Sequence, residues 1–203
     1  MAVFLLIRHG NTDLVGKAIP GRMEGVHINR EGQIQVENLA ERLSLVPINV
    51  ICSSPLERAR ETAAMIAKPQ GLDVRICPGL NEVEAGDWTG HEINELYKMP
   101  KWKQYNMFRS GTRIPGAGGE LMVEVQARVV AELDQLREEL PQGIIAAVSH
   151  GDPIKTAIAH YAGIPLDFIP RFEVSPASVS IIAIDDYGAK ILCVNHTTHL
   201  PGF

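Results

Sequence analysis

Arg8-His9-Gly10-Asn11-Thr12 and Ser149-His150-Gly151 are the stretches of this chain in which side chains with chemistry to offer stand together. Each ends an apolar run, Val3-Phe4-Leu5-Leu6-Ile7 in one case and Ile144-Ile145-Ala146-Ala147-Val148 in the other. A neutral imidazole with an aimed lone pair, its other nitrogen fixed by a hydrogen bond, is a nucleophile or a proton carrier. A guanidinium stays charged and grips oxyanions through paired donors. Arg8, and Arg58 further along, are suited to that task. One histidine after a strand is more often an idle loop residue. The pair, each followed by glycine and accompanied by arginines, points to a single reacting pocket.

The elements around these residues must bring them together. A short, β-rich apolar run ended by Gly and polar residues reads as a strand buried on both faces. Its carboxyl end is where open α/β sheets bind ligands. Residues 16–29 read as irregular, and 31–45 as a helix with Ile34, Leu39, Ala40 and Leu43 at helical spacing. A strand from Ile48 to Cys52 leads into Ser53-Ser54-Pro55. Ser54 is the expected N-cap of the next helix, with Pro55 at its first position and Glu57 completing a capping box. Arg58 then lies in the first turns, near the strand's end. Another strand is expected over 73–77, then the loop carrying Glu82 and Glu84. Residues 86–119 are the least regular stretch and read as a lid or specificity insert. A helix follows over 120–140 with Val125, Val129, Leu133 and Leu136 facing inward. The helix after His150 is given Asp152 as N-cap, Pro153 as first residue and Gly163 as stop. Two β-rich runs, 179–184 and 190–195, flank a hairpin-like Asp185-Asp186-Tyr187-Gly188. Alternating strands and helices predict a three-layer α/β/α fold with a mostly parallel central sheet.

Bulk properties narrow the classes. The length of 203 residues fits one domain spanning 1–203, against a prior of ~150 residues per domain that stretches further for α/β folds. With 45% hydrophobic and 21% charged residues, the chain can bury a core and does not resemble a disordered one. A net charge of -5 gives no overall attraction to nucleic acid; an anionic substrate needs a local cationic pocket. Cys52, Cys77 and Cys193 are scattered and read as buried reduced thiols. The first apolar run is too short for a signal or a membrane span, so a soluble cytoplasmic protein is expected.

These residues resemble the histidine phosphatase superfamily, the phosphoglycerate mutase-like fold, along nearly the whole chain. Arg8-His9-Gly10 resembles its first signature. Gly21-Arg22 with Gly25, and Gly32 with Gln35, resemble the next segment. Ser53-Ser54-Pro55-Leu56-Glu57-Arg58-Ala59 with Thr62 resembles the second arginine motif. Leu80-Asn81-Glu82, followed by Gly86, Trp88 and Gly90, resembles the acid motif, and Ser149-His150-Gly151 the second histidine. Asn195 with His199-Leu200 resembles the usual ending. The resemblance implies that His9 attacks phosphorus and becomes phosphohistidine. It implies that Arg8, Arg58 and His150 hold the phosphoryl oxygens and that Glu82 is the general acid. Asn11, Thr12, Gly21, Arg22 and Gly151 are implied to border the bound phosphate. It further implies a small phosphate monoester as partner, with no cofactor and no metal, since this cationic cluster replaces the Mg²⁺ of many phosphoryl-transfer enzymes. Val15 stands where the family often has Asn, and Leu121 where a Gly-Gly-Glu run is often followed by Ser. Asn11 and Thr12 are left to make good the first loss, and the helix entry at Gly118-Gly119-Glu120 offers a weak anion site.

Whether Glu82's pKa rises is open at this level: burial and a bound phosphate raise it, Arg8 and Arg58 lower it. Glu84 competes for the role but reads better as a solvated loop carboxylate. His91, His160, His196 and His199 lack partners at zinc spacing, and Gly116-Ala117-Gly118-Gly119 lacks the Lys of a phosphate-binding P-loop. The aromatic residues Trp88, Trp102, Tyr97, Tyr105 and Phe108 either pack the insert or line a pocket. Scattered basic residues in the insert favour phosphomonoester hydrolysis, with a partly apolar leaving group, over phosphoglycerate mutase-like transfer. Sugar phosphatase and α-ribazole phosphatase-like roles fit equally. A binding protein that has lost turnover is the reading of another class, and the full set of histidines, arginines and acid argues against it. The stretch Ile164-Pro165-Leu166-Asp167-Phe168-Ile169 reads as core, or else as the interface of a homodimer.

Overall fold

A computed structural model describes residues 1–197. Six strands form one sheet in the order β3-β2-β4-β1-β5-β6. In chain order the elements are β1 (Ala2–Arg8), α1 (Arg30–Leu43), β2 (Val50–Ser53), α2 (Glu57–Gln70), β3 (Val74–Ile76), α3 (Ile93–Leu96), α4 (Pro100–Met107), α5 (Met122–Glu139), β4 (Ile144–Ser149), α6 (Gly151–Ala162), β5 (Val179–Asp185) and β6 (Gly188–His196). β3, β2, β4 and β1 run parallel, while β5 and β6 add antiparallel. The mixed α/β fold with a mostly parallel sheet is as the alternation predicts.

Strand alternation builds the layers. Leu5 and Ile7 of β1 pack with Val36, Leu39, Ala63 and Ile66 of α1 and α2. Phe4 and Leu6 point the other way, towards Val125, Val129, Leu133 and Ile158 of α5 and α6. Both faces of β1 are therefore covered, which is why its sequence is apolar without a gap. The inward row of α5 is buried throughout. In α1, Val36 takes the core position and Ile34 is exposed. Leu166 and Ile169 are buried, so the 164–169 stretch contributes to the core. Cys52 and Cys77 are buried free thiols, whereas Cys193 on β6 is only partly covered. Among the described residues no helix is long and apolar enough to cross a membrane.

Helix starts differ from expectation where the site has prior use of the capping group. α2 begins at Glu57 with extended Leu56 as N-cap; Ser54 Oγ is bonded to His150 Nε2 at 2.7 Å and makes only a long bond, 3.4 Å, to Leu56 N–H at the helix entry. Glu57, at the first helical position, accepts from Gly25 N–H instead of closing a box. α6 begins at Gly151 with His150 as N-cap, and the Asp152 carboxylate is taken by Arg109 at 2.9 Å. Gly163 ends α6 as expected, in the left-handed conformation at φ 66°. Gly32 has a stricter duty: a Cβ there would sit 2.2 Å from Asn11 O. Only glycine lets α1 start against the loop that carries His9.

Candidate active site

Parallel pairing of β1 with β4 sets Arg8 opposite Ser149. The next residue of each strand is a histidine, so His9 and His150 leave neighbouring strand ends together. Their rings meet edge to face, with centroids 5.2 Å apart. β2 flanks β4 on its other side, which brings Ser54 under His150 and Arg58, at the start of α2, behind the pair. Both His150 and Arg58 are fully buried.

The His9 Nδ1 lies 2.8 Å from Gly10 O. A carbonyl only accepts, so Nδ1 carries the proton and Nε2 keeps its lone pair. Gly10 N–H is in turn held by Thr62 Oγ1 at 3.0 Å. Burial, then the charges of Arg8 and Arg58, lower the His9 pKa from 6.5 to about 3. His150 is likewise held well below its ordinary value, by burial first and then by His9 and Arg58. Glu82 moves upward, because burial outweighs the opposing pull of Arg58 and Arg8. Near neutral pH the site thus holds neutral imidazoles beside a carboxyl that keeps its proton more readily than usual.

Glu82 Oε1 accepts from Val83 N–H at 2.8 Å, while Oε2 lies 3.7 Å from His150 Nδ1. Arg58 Nη2 donates to Gly21 O at 2.8 Å and Arg8 Nη1 to Val174 O at 2.6 Å. Among the described residues Arg58 Nε, Arg58 Nη1, Arg8 Nε and Thr12 Oγ1 are buried without a hydrogen-bond partner. Buried donors of this kind are what the binding of an oxyanion requires.

A cavity of about 440 Å³ opens from this spot. Arg8, His9, Thr12, Gly21, Glu82 and Gly151 line its inner end, and Val15 borders it without offering a donor. Arg58 and His150, fully buried, stand behind this lining and not in it, and Asn11 and Arg22 are not brought to it. The Asn11 side chain is spent on Glu31 and on Thr12 N–H. Arg22 turns to Glu82 O, Glu84 and Glu120. Thr12 alone of the Asn11-Thr12 pair remains to replace the donor missing at Val15. Glu84 also lies outside the cavity lining. Glu120 fills the Gly118-Gly119-Glu120 entry with its own carboxylate, held by Arg22 and Arg128, so an anion is repelled there.

The outer end combines Trp88, Trp102, Tyr105, Ile93 and Ile114 with Asn106, Arg109, Asp152, Lys155 and Glu173. Trp88 stacks edge to face on Trp102 and Tyr105, with centroids 5.0 and 5.1 Å apart. These aromatic side chains both pack the insert and line the pocket, whereas Phe108 is exposed. Sequence reasoning missed Arg109, Asp152 and Lys155; the Arg109–Asp152 pair joins α6 to the insert and has no local sequence signal. Among the described residues no three potential metal ligands converge. His91 lies near Glu95, and His196 bonds Arg42. His199 and Leu200 fall outside the described residues.

Protonation makes a prediction for stability. Above about pH 6.5 His9 is neutral both folded and unfolded, so it adds no pH dependence. Between about 6.5 and 3 the unfolded chain takes up a proton that the folded one refuses, and stability falls as pH falls. His150 adds the same sign. Glu82 opposes them: its contribution is complete below its ordinary 4.5 and is lost as pH rises through its higher folded pKa. Melting temperatures of wild type and His9→Gln between about pH 6.5 and 4 should diverge, the variant showing the shallower acid slope, with His9 itself limited to about 1.4 kcal/mol per pH unit.

The family model described as histidine phosphatase superfamily (branch 1) matches residues 4–197. Phosphoserine phosphatase 1 of Hydrogenobacter thermophilus is 28% identical over 206 aligned residues, covering 100% of this chain and 96% of that protein. The 2,3-bisphosphoglycerate-dependent phosphoglycerate mutase of Thermoplasma acidophilum is 27% identical over 186, covering 91% and 88%. A crystal structure of phosphoserine phosphatase from Entamoeba histolytica, in complex with 3-phosphoglyceric acid, superimposes with a TM-score of 0.87 at 26% identity and covers 98% of each chain. Strand-end histidines, buried oxyanion donors and relatives that are phosphatases and a mutase agree, and the chain belongs to the histidine phosphatase superfamily, whose reaction is phosphoryl transfer.

Proposed function

We propose that the protein, as one domain, hydrolyses phosphate monoesters through a phosphohistidine on His9, and that residues 86–119 form the lid that chooses the alcohol. The observation that carries this reading is the His9 ring. It is neutral, pinned through Nδ1, and offers Nε2 at the inner end of the cavity. The Nε2 lone pair attacks phosphorus as the bond to the leaving oxygen breaks. Glu82, protonated, delivers its proton to that oxygen. Arg8, Arg58, Thr12 and His150 bind the equatorial oxygens where charge concentrates. A water then attacks phosphorus and passes its proton to the Glu82 carboxylate. The N–P bond breaks, its electrons return to Nε2, and phosphate leaves. Guanidinium charge does the work that Mg²⁺ does in other phosphoryl-transfer sites.

Charge matching at the outer end favours hydrolysis over mutase-like transfer. Arg109 is paired with Asp152 at 2.9 Å, and Lys155 faces Glu173 at 3.9 Å. Neither cation is left in excess to take a second acidic group of the substrate. The walls Trp88, Trp102, Tyr105 and Ile93 instead suit an apolar alcohol.

Phosphate release from 2-phenylethyl phosphate, phosphoserine and 3-phosphoglycerate, measured in EDTA, tests both levels. The expected result is turnover of all three esters with the phenylethyl ester best by kcat/KM. A protein inert on every ester in EDTA would overturn the phosphatase reading. Preference for phosphoserine would overturn only the apolar alcohol, and isomerisation of 3-phosphoglycerate without hydrolysis would establish the mutase alternative.

A further inference from the structure

The loop from Gly79 to Glu84 has almost no regular structure, yet its backbone is held at nearly every polar atom. Arg128, on α5, donates through Nη1 to Gly79 O at 2.8 Å and Asn81 O at 2.7 Å. Its Nη2 donates to Glu82 O at 3.0 Å. Arg22 reaches the same Glu82 carbonyl from the other side, through Nε at 2.9 Å. Glu120 sits between the guanidiniums, 3.0 Å from Arg128 Nε and 3.1 Å from Arg22 Nη2. Its Oε2 also accepts from Glu84 N–H at 2.8 Å. Ser149 Oγ closes the set by donating to Leu80 O at 2.7 Å.

Arg128 and Glu120 lie outside the cavity lining and spend their polar atoms on the acid loop, on Arg22 and on each other, so they act on a substrate only through what they hold. What they hold is the residue whose Oε2 faces His150. A carbonyl shared by two guanidiniums fixes the Glu82 backbone, and Val83 N–H fixes the far carboxyl oxygen. The near oxygen, Oε2, is then set 3.7 Å from His150 Nδ1. Fork donors that reach three carbonyls, those of Gly79, Asn81 and Glu82, from one side chain are something Arg supplies and Lys does not. Proton delivery is sensitive to sub-ångström placement, so the stretch 81–84, which leaves the short 3-10 turn Pro78–Leu80 with no helix or strand of its own, needs such a brace.

We propose that Arg128, with Glu120 as its counter-charge and Arg22 as its partner, is a positioning residue for proton transfer: a brace behind the acid loop that sets where Glu82 meets the leaving oxygen. This rests on Glu82 being the general acid. It gives Arg22 a role behind the acid instead of on the phosphate.

The test compares kcat/KM, which reports steps up to departure of the leaving group, for p-nitrophenyl phosphate and 2-phenylethyl phosphate. The first leaves without help; the second needs a proton. Arg128→Gln should lose about tenfold to a hundredfold more on the phenylethyl ester than on the nitrophenyl ester. Glu82→Gln should show the same split, at least as large. Glu120→Gln, which keeps shape and removes the counter-charge, gives a second route should Arg128→Gln fail to fold, and should show the split in weaker form. Equal losses on the two esters, or none, in the Arg128 and Glu120 variants while Glu82→Gln shows the split would overturn the brace. Absence of the split in Glu82→Gln itself would instead overturn the general acid.

Discussion

His9→Ala loses at least about four orders of magnitude in kcat/KM on every phosphate monoester the wild type turns over, because the variant has no atom that can form the N–P bond. The loss should be chemical and not structural. The ring lies at the end of β1 beside an open cavity, and its removal also removes a buried imidazole that resists protonation. Melting temperature near neutral pH should therefore stay within a few degrees of wild type. Rapid quenching of wild type with a labelled ester should trap an acid-labile, base-stable phosphoryl group on His9, absent from the variant. Turnover surviving in His9→Ala would remove the covalent mechanism.

Arg58→Met is expected to move activity and stability in opposite directions. Arg58 is fully buried, and among the described residues its Nη2 makes a single hydrogen bond while Nε and Nη1 have no partner. Burial lowers its pKa, which is the mark of a charge held where solvation is poor. Leaving buried donors unsatisfied costs about 1–3 kcal/mol, and replacing a poorly compensated buried charge by an apolar side chain of similar volume is often stabilising. Methionine follows the same path through the core. The melting temperature should rise by a few degrees while kcat/KM falls about a thousandfold or more, since the phosphoryl oxygens lose a charged fork. Adding phosphate should raise the wild-type melting temperature and leave that of Arg58→Met nearly unmoved. A variant that is both less stable and still able to bind phosphate would show that Arg58 serves the fold.

His9 and His150 were legible because each follows a short β-rich apolar run that reads as a buried strand, and such strands end at the ligand side of a sheet. The helices could be read from spacing, except at their first residues. Ser54 and Asp152 have the chemistry of N-caps, but their side chains are claimed by His150 and Arg109 across 96 and 43 residues. No local pattern reports such claims. Arg22 shows the same limit. Its type and place after Gly21 suit a phosphate, and only the position of Glu120 and the Glu82 carbonyl decides that it faces the acid loop instead. Arg128 sits in an amphipathic helix where an arginine is unremarkable, so the brace is visible only once α5 is packed against the loop. Glu82 was recognisable as a residue, but the direction of its pKa needed the depth of its burial.

The insertion of β4 between β2 and β1 has a consequence for how the protein comes to be active. Residues 2–53 supply β1 and β2, yet these strands never touch; β4, made some ninety residues later, is the wedge that joins them. Until it slots in, the edges of β1 and β2 are open and His9 has no His150 beside it. Pairings so distant in sequence form slowly and expose apolar edges meanwhile. A ribosome-bound chain that stops short of β4 has no His150 and no working site, and a refolding mixture has none until the sheet closes. The appearance of turnover in such a mixture is then a clock for that one insertion, and it should lag behind the recovery of helix signal.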